Sequence, residues 1–172
     1  MAEKKWDPSV VRVSFDLDEV LFVSPKTHKV EPPLPFPFER LYTERLREGT
    51  PQLIQTLKSM GVEVWVYTSS YRTEKYIRKL FSHYNVYFTD IINAQRHQAE
   101  IQFGHNHILP QKLPNRYHID LHIDDEKVIA DYGKDYGFAV HLMEAPDDEW
   151  ADKIIALVEE IIKTKEKKFN GN

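Results

Sequence analysis

Along this chain, short apolar runs alternate with stretches in which apolar residues recur at helical spacing. Residues 10–17 (VVRVSFDL) are β-branched and aromatic and stop where acids begin, which predicts a strand. Residues 62–67 (VEVWVY), 85–92 (NVYFTDII), 116–125 (RYHIDLHIDD) and 137–144 (GFAVHLME) predict four more. Helices fall between them. From Thr50, an N-cap with Pro51 at the first helical position, PQLIQTLKSM sets Leu53, Ile54 and Leu57 on one face and closes at Gly61. Residues 72–82 place Tyr76, Ile77, Leu80 and Phe81 at helical spacing, and 126–133 (EKVIADYG) form a short helix. Behind the cap Pro146-Asp147-Asp148, a terminal helix carries Ile154, Ile155, Leu157, Val158, Ile161 and Ile162 as its stripe; its tail, KTKEKKFNGN, is expected to fray. Residues 94–115 show no clear period and are read as a loop. Five of the ten prolines lie between Pro25 and Pro37, so residues 24–38 are an extended excursion with at most a short edge hairpin.

Strand alternating with helix predicts an α/β domain: a largely parallel sheet with helices on both faces. Such sheets bind ligands beyond the carboxyl ends of their strands. The polar punctuation therefore matters: strand one ends Asp16-Leu17-Asp18-Glu19, strand two Thr68-Ser69-Ser70 and strand four Asp124-Asp125, all at one end of the sheet.

Length and composition narrow the picture. The 172 residues fit one domain, 1–172, in which the proline-rich segment 23–49 is an insertion or flap. A net charge of −4 supplies no global positive field, so no obligate nucleic-acid partner and no membrane surface are expected. Without cysteine there is no disulfide, thiolate-held zinc or cysteine nucleophile. The glycines form neither a GxGxxG turn nor a P-loop. No run approaches the ~18 apolar residues of a membrane span, and a soluble, cytoplasmic protein is expected.

Asp16 and Asp18, two apart at a strand end, can point the same way. Carboxylates that close repel unless a cation lies between them or one holds a proton. Completed by Asp124, the set suits Mg²⁺, a hard ion that takes oxygen ligands.

These residues resemble the haloacid dehalogenase (HAD) superfamily of aspartate-nucleophile phosphatases. The DxD motif of that family is similar to Ser14-Phe15-Asp16-Leu17-Asp18-Glu19-Val20, its second motif to WVYTSS with Thr68 as the key residue, and its fourth to Ile123-Asp124-Asp125. Lys112 is the candidate for the third-motif lysine, with Lys127 and Lys75 as alternatives. The pattern spans residues 11–144 and, with Glu19 where many members carry glycine, resembles most the uncapped arm of small C-terminal-domain phosphatases. The resemblance implies a Rossmann-like, three-layer fold with five mostly parallel strands in the order 5-4-1-2-3 and no large cap. It also implies a Mg²⁺-dependent phosphomonoester hydrolase in which Asp16 is the nucleophile and Asp18 the general acid and base. Asp16, Asp124 and Asp18, the last through its main-chain carbonyl, are the implied metal ligands. Thr68, Ser69 and Lys112 would bind the substrate phosphate, with Asp125 behind the ligands. The partner implied is a phosphorylated substrate: a small molecule, a protein or a nucleic-acid end.

Other readings compete. A receiver-like signalling domain also places acids, Thr and Lys at strand ends, but needs an acceptor on strand three, which Asp90 fits poorly; a non-catalytic phosphate-binding scaffold is the other alternative. Gly104-His105-Asn106-His107 suggests a transition-metal site only weakly. Pro35-Phe36-Pro37-Phe38 either marks a binding surface or packs the insertion down. On strand four, His118, Asp120, His122 and Asp124 share one face, where a central parallel strand should be apolar; either they satisfy one another or that face borders the site.

Overall fold

The computed structural model describes residues 5–143 and 146–171. Five strands form one sheet: β1 (Arg12–Phe15), β2 (Glu63–Tyr67), β3 (Asp90–Ile92), β4 (Leu121–Asp124) and β5 (Val140–Leu142). Every pairing is parallel and the order is β3-β2-β1-β4-β5, which is the expected 5-4-1-2-3 counted from the other edge. The helices are α1 (Phe38–Leu41), α2 (Thr50–Ser59), α3 (Glu74–Ser82), α4 (Ala94–His97), α5 (Lys127–Tyr136) and α6 (Trp150–Asn170).

Strand alternation assigns the two faces different work. Val13, Phe15, Val64, Val66, Leu121 and Ile123 join the main core with Leu53, Ile54 and Leu57 of α2, Ile77, Leu80 and Phe81 of α3, and Trp150, Ile154 and Val158 of α6. On the other face Trp65, Tyr67 and Ile92 pack under Tyr117 and Ile119, beside a cluster of Leu109, Leu113, Ile129 and Phe138. Ser14 and His122 occupy this second face, paired in register across β1 and β4.

Several elements differ from the sequence expectation, each for a local reason. Only Asp90–Ile92 of the third run pairs as strand, because Asn85 turns the chain at φ 57° and Val86 and Phe88 plug the core instead. The fourth begins late: Pro114–Tyr117 is a 3₁₀ turn closed by His118 at φ 55°, and pairing starts at Leu121. Segment 94–115 is not one loop. Asn93 accepts from Arg96 N at 2.9 Å and caps α4, which runs into a π-helical turn, Gln98–Gln102. The cap of α2 is Gly49, at φ 88°, while Thr50 is already helical and donates to the Arg47 carbonyl at 2.7 Å. α5 does not stop at Gly133. That glycine lies where a Cβ would stand 2.5 Å from the Phe138 carbonyl, and Gly137, at φ 78°, ends the helix. The end of the fifth predicted strand, Glu144, lies outside the described residues.

The expected cap at Pro146-Asp147-Asp148 is not the one formed: α6 starts at Trp150 behind Glu149, which makes no side-chain cap bond, and Asp147 instead closes the turn before it by accepting from Glu149 N at 2.9 Å. The tail does not fray: helix continues to Asn170, and Lys165 ties it to Asp120 and the Val10 carbonyl at 2.9 and 3.0 Å. Leu157 of the predicted stripe is exposed. The insertion is partly ordered by antiparallel bridges, Phe22 with Leu46 and Val30 with Arg47, and holds the unforeseen α1. Phe38 packs on His83 with ring centres 4.3 Å apart, whereas Phe36 is 71% exposed. Among the described residues no helix is long and apolar enough to cross a membrane.

Candidate active site

Asp16 is the first residue beyond β1, its N–H donating to the Ile123 carbonyl of β4 at 2.9 Å. Thr68 holds the matching place beyond β2, its N–H on the Ile92 carbonyl at 2.9 Å, and Asp124 closes β4. Parallel register thus brings three strand ends to one edge, with the central strand carrying the middle carboxylate.

Carboxylate oxygens of Asp16, Asp124 and Asp125 lie within 4.8 Å of one another, the set of metal-competent side chains found among the described residues. Lys112, wholly buried, reaches between them: its Nζ is 2.9 Å from Asp16 Oδ2 and 2.5 Å from Asp124 Oδ2. Lys127 instead faces solvent beside Asp131, and Lys75 is exposed. The segment carrying Lys112 is pinned by Tyr67, whose hydroxyl accepts from Leu113 N at 3.0 Å and meets His97 Nδ1 at 2.5 Å.

Burial works against every charge here, and the pairing decides the outcome. Burial lifts the Asp16 carboxyl above the ordinary range, although Lys112 pulls the other way. For Asp124 burial is outweighed by the His122 hydrogen bond and the Lys112 charge, which hold it at about 2. Burial opposes the charge on Lys112, yet Asp16 and Asp124 together hold its pKa above the usual lysine value. Asp125 is raised, first by burial and then by Asp124. His122 is pushed down by burial and is the neutral member of the cluster.

Of the four polar residues weighed above only His122 and Asp124 lie in β4 and pair: His118 is exposed and stacks on Trp6, and Asp120 accepts from Arg12 N and Lys165 Nζ. His122 satisfies its neighbours, with Nδ1 2.7 Å from Ser14 Oγ and Nε2 2.8 Å from Asp124 Oδ2, and it lies directly beneath the acidic cluster. Ser14 and His122 were not among the candidate site residues; the signal was their shared apolar-strand setting, where an uncompensated polar side chain would be costly.

Asp18 is placed differently. Its side chain is exposed and held by Arg72, Nη1 and Nη2 on its two oxygens at 2.9 and 3.0 Å, outside the three-carboxylate cluster. Arg72 also donates through Nε to Glu44 of the insertion at 3.0 Å and stacks over Phe22 at 5.2 Å. The turn between Asp18 and Phe22 is tight: Glu19 takes φ 60°, and buried Arg47 donates to the carbonyls of Glu19 and Val20 at 2.9 and 2.7 Å. Thr68 is buried, its Oγ1 3.2 Å from Ser70 Oγ, and Ser69 is half-buried. Ser69 lines a cavity of about 340 Å³ with Tyr71, His97, Gln98 and Gln111, beside Thr68 and Lys112 in the chain. His105 and His107 are exposed and belong to no metal-competent cluster of the described residues.

The donor set at the cluster is all carboxylate oxygen, with more negative charge than one ammonium neutralises. That fits a hard divalent cation such as Mg²⁺ rather than a soft or imidazole-seeking metal.

No protein-family model matches the chain, and no curated protein does. Solved structures do. A HAD-superfamily hydrolase of subfamily IA, variant 1, from Geobacter sulfurreducens PCA is 16% identical, with a TM-score of 0.55 over 86% of this chain and 99% of that one. The HAD domain of the effector protein Lem4 from Legionella pneumophila, as an inactive mutant, is 14% identical, with a TM-score of 0.53 over 93% of this chain and 98% of that one. An uncharacterized protein from Listeria monocytogenes serotype 4b is similar at a TM-score of 0.52 and 14% identity, covering 87% of this chain and 99% of that one. At such identities the likeness shows the fold.

Proposed function

We propose that this chain, which has the fold of the HAD-superfamily hydrolases, is a Mg²⁺-dependent phosphomonoester hydrolase working through an aspartyl-phosphate on Asp16. One observation carries the reading: buried Lys112 bridges Asp16 and Asp124 at 2.9 and 2.5 Å, within a carboxylate cluster at the carboxyl ends of adjacent parallel strands. A cation would be held by Asp16, Asp124 and Asp125, with the Asp18 carbonyl as the ligand the family resemblance adds; it would offset the repulsion between carboxylate and phosphate.

The chain's own groups do the rest. Asp16 attacks phosphorus, the bond from phosphorus to the ester oxygen breaks, and Asp18 gives its proton to the departing alkoxide. Asp18 then takes a proton from water, which displaces phosphate from Asp16. To hold the proton Asp18 must release one of its two bonds to Arg72, and the other keeps the carboxyl placed. Thr68, Ser69 and the Lys112 ammonium hold the equatorial oxygens as charge develops. The substrate is a phosphorylated small molecule, protein or nucleic-acid end, met by a site without a large cap.

Sugar phosphates, nucleotides, phosphopeptides and 5′-phosphorylated oligonucleotides assayed with Mg²⁺ form the first test. Asp16→Asn should abolish formation of the aspartyl-phosphate. Asp18→Asn should lose ~10²–10⁴-fold on an alkyl phosphate and far less on an activated aryl phosphate, whose leaving group needs no proton. Equal losses on the two esters would remove Asp18 from the acid role, and no turnover of any substrate would favour a receiver-like or scaffold protein.

A further inference from the structure

We infer that His122, fixed by Ser14, is a positioning residue for Asp124 and sets the divalent-cation affinity of the site; this rests on the reading of Asp16, Asp124 and Asp125 as cation ligands. Ser14 and His122 are wholly buried on adjacent central strands, in register with one another. For packing alone an apolar pair would serve better there, since burying a polar group without a partner costs roughly 1–3 kcal/mol. These two are not left without partners, and their hydrogen bonds run in one direction. An ionised carboxylate can only accept, so His122 Nε2–H donates to Asp124 Oδ2 at 2.8 Å, and Nδ1 therefore accepts from the Ser14 hydroxyl at 2.7 Å.

The consequence falls on Asp124. Its Oδ2 receives His122 and Lys112, and its Oδ1 receives Glu126 N at 3.0 Å, so rotation of the carboxylate breaks bonds at both oxygens. The His122 ring cannot easily swing aside, because the Tyr67 ring stands against it with centres 6.0 Å apart, and Tyr67 is itself held by Leu113 N and His97. Removing His122 would leave the carboxylate to one backbone N–H and to the Lys112 ammonium, which it shares with Asp16. A ligand so freed must be ordered at the moment of cation binding, and that ordering weakens affinity. Outer partners of metal ligands typically contribute ~10–100-fold in affinity.

The test is calorimetric titration with Mg²⁺ of the parent protein, His122→Leu, His122→Gln and Ser14→Ala, each with a thermal melt in the absence of metal. His122→Leu should bind Mg²⁺ ~10–100-fold more weakly. Gln carries an amide N–H at about the reach of Nε2, so His122→Gln should recover most of the loss, and Ser14→Ala should fall between. Should His122→Leu fail to fold, Ser14→Ala carries the decision. Folded Leu and Ala variants that lower the melting temperature but bind Mg²⁺ as the parent does would make the pair merely structural and overturn the inference. A parent that binds no Mg²⁺ would instead overturn the cation reading and the inference with it.

Discussion

Glu19 stands at φ 60°, in the left-handed region where a residue with a Cβ is strained and glycine is not. Here the turn is held from outside, by the buried Arg47 guanidinium on the carbonyls of residues 19 and 20. Glu19→Gly should therefore stabilise the protein by about 0.5–1 kcal/mol, the relieved strain exceeding the added freedom of the unfolded chain. Urea denaturation of the two proteins measures it, and a less stable variant would show that the glutamate side chain matters more than its backbone. At the same scale, Tyr67→Phe removes the acceptor of Leu113 N and the partner of His97, both at buried positions. A loss of roughly 1–3 kcal/mol is expected, with a weakened hold on the neighbouring Lys112.

Among the elements, α5 and the insertion carry the sharpest expectations. The segment leading from α5 into β5 turns back so closely on the helix that a Cβ on Gly133 would meet the Phe138 carbonyl at 2.5 Å and the Val140 side chain at 3.3 Å. Alanine is the better helix former, yet Gly133→Ala should destabilise by about 1–3 kcal/mol, because the obstacle is backbone and cannot step aside. A melting temperature equal to or above the parent's would show that the helix can slide. The insertion meets the site through Glu44, which braces Arg72 at 3.0 Å while also accepting from Tyr76 at 2.7 Å. If that brace helps place Asp18, Glu44→Gln should slow hydrolysis of an alkyl phosphate several-fold more than that of an activated aryl phosphate. Equal effects on the two would confine Glu44 to holding the insertion.

At the scale of the whole molecule, stability becomes a function of pH through buried groups. Burial pushes the pKa of His97 below the ordinary histidine value, and its Nδ1, facing the Tyr67 hydroxyl, is best kept as an acceptor. Above pH ~7.5 His97 is neutral in both states and contributes no pH dependence. As pH falls through ~6.5 the unfolded chain takes up a proton that the folded protein resists, so stability declines with acidification. Metal-free parent protein should thus lose more stability between pH 8 and 5.5 than His97→Gln, in which this titration is gone. Identical slopes in urea melts across that range would contradict the assignment.

The strands, the parallel sheet and the carboxylates at its carboxyl end were legible in the sequence because they follow from local period and punctuation, VVRVSFDL and VEVWVY naming their own strands and stopping at their own polar ends, whereas the order of the strands rested on the family resemblance. Asp16, Thr68 and Asp124 could be found this way since each is fixed by its place on one strand. What no local pattern carries is a relation between distant segments. Lys112 sits in a stretch without period, and only the fold drives it, fully buried, between Asp16 and Asp124. His122 shares a strand face with Asp124 by simple alternation, but its other partner, Ser14, is supplied only when β4 is laid beside β1 in register. Arg72 reached Asp18 and Glu44 across 54 and 28 residues, and Lys165 kept α6 helical by bonding to Val10 and Asp120. Short-range spacing determines which residues turn to one face, whereas the cost of burying charge decides which distant partners they must meet, and that cost exists only once the chain has folded.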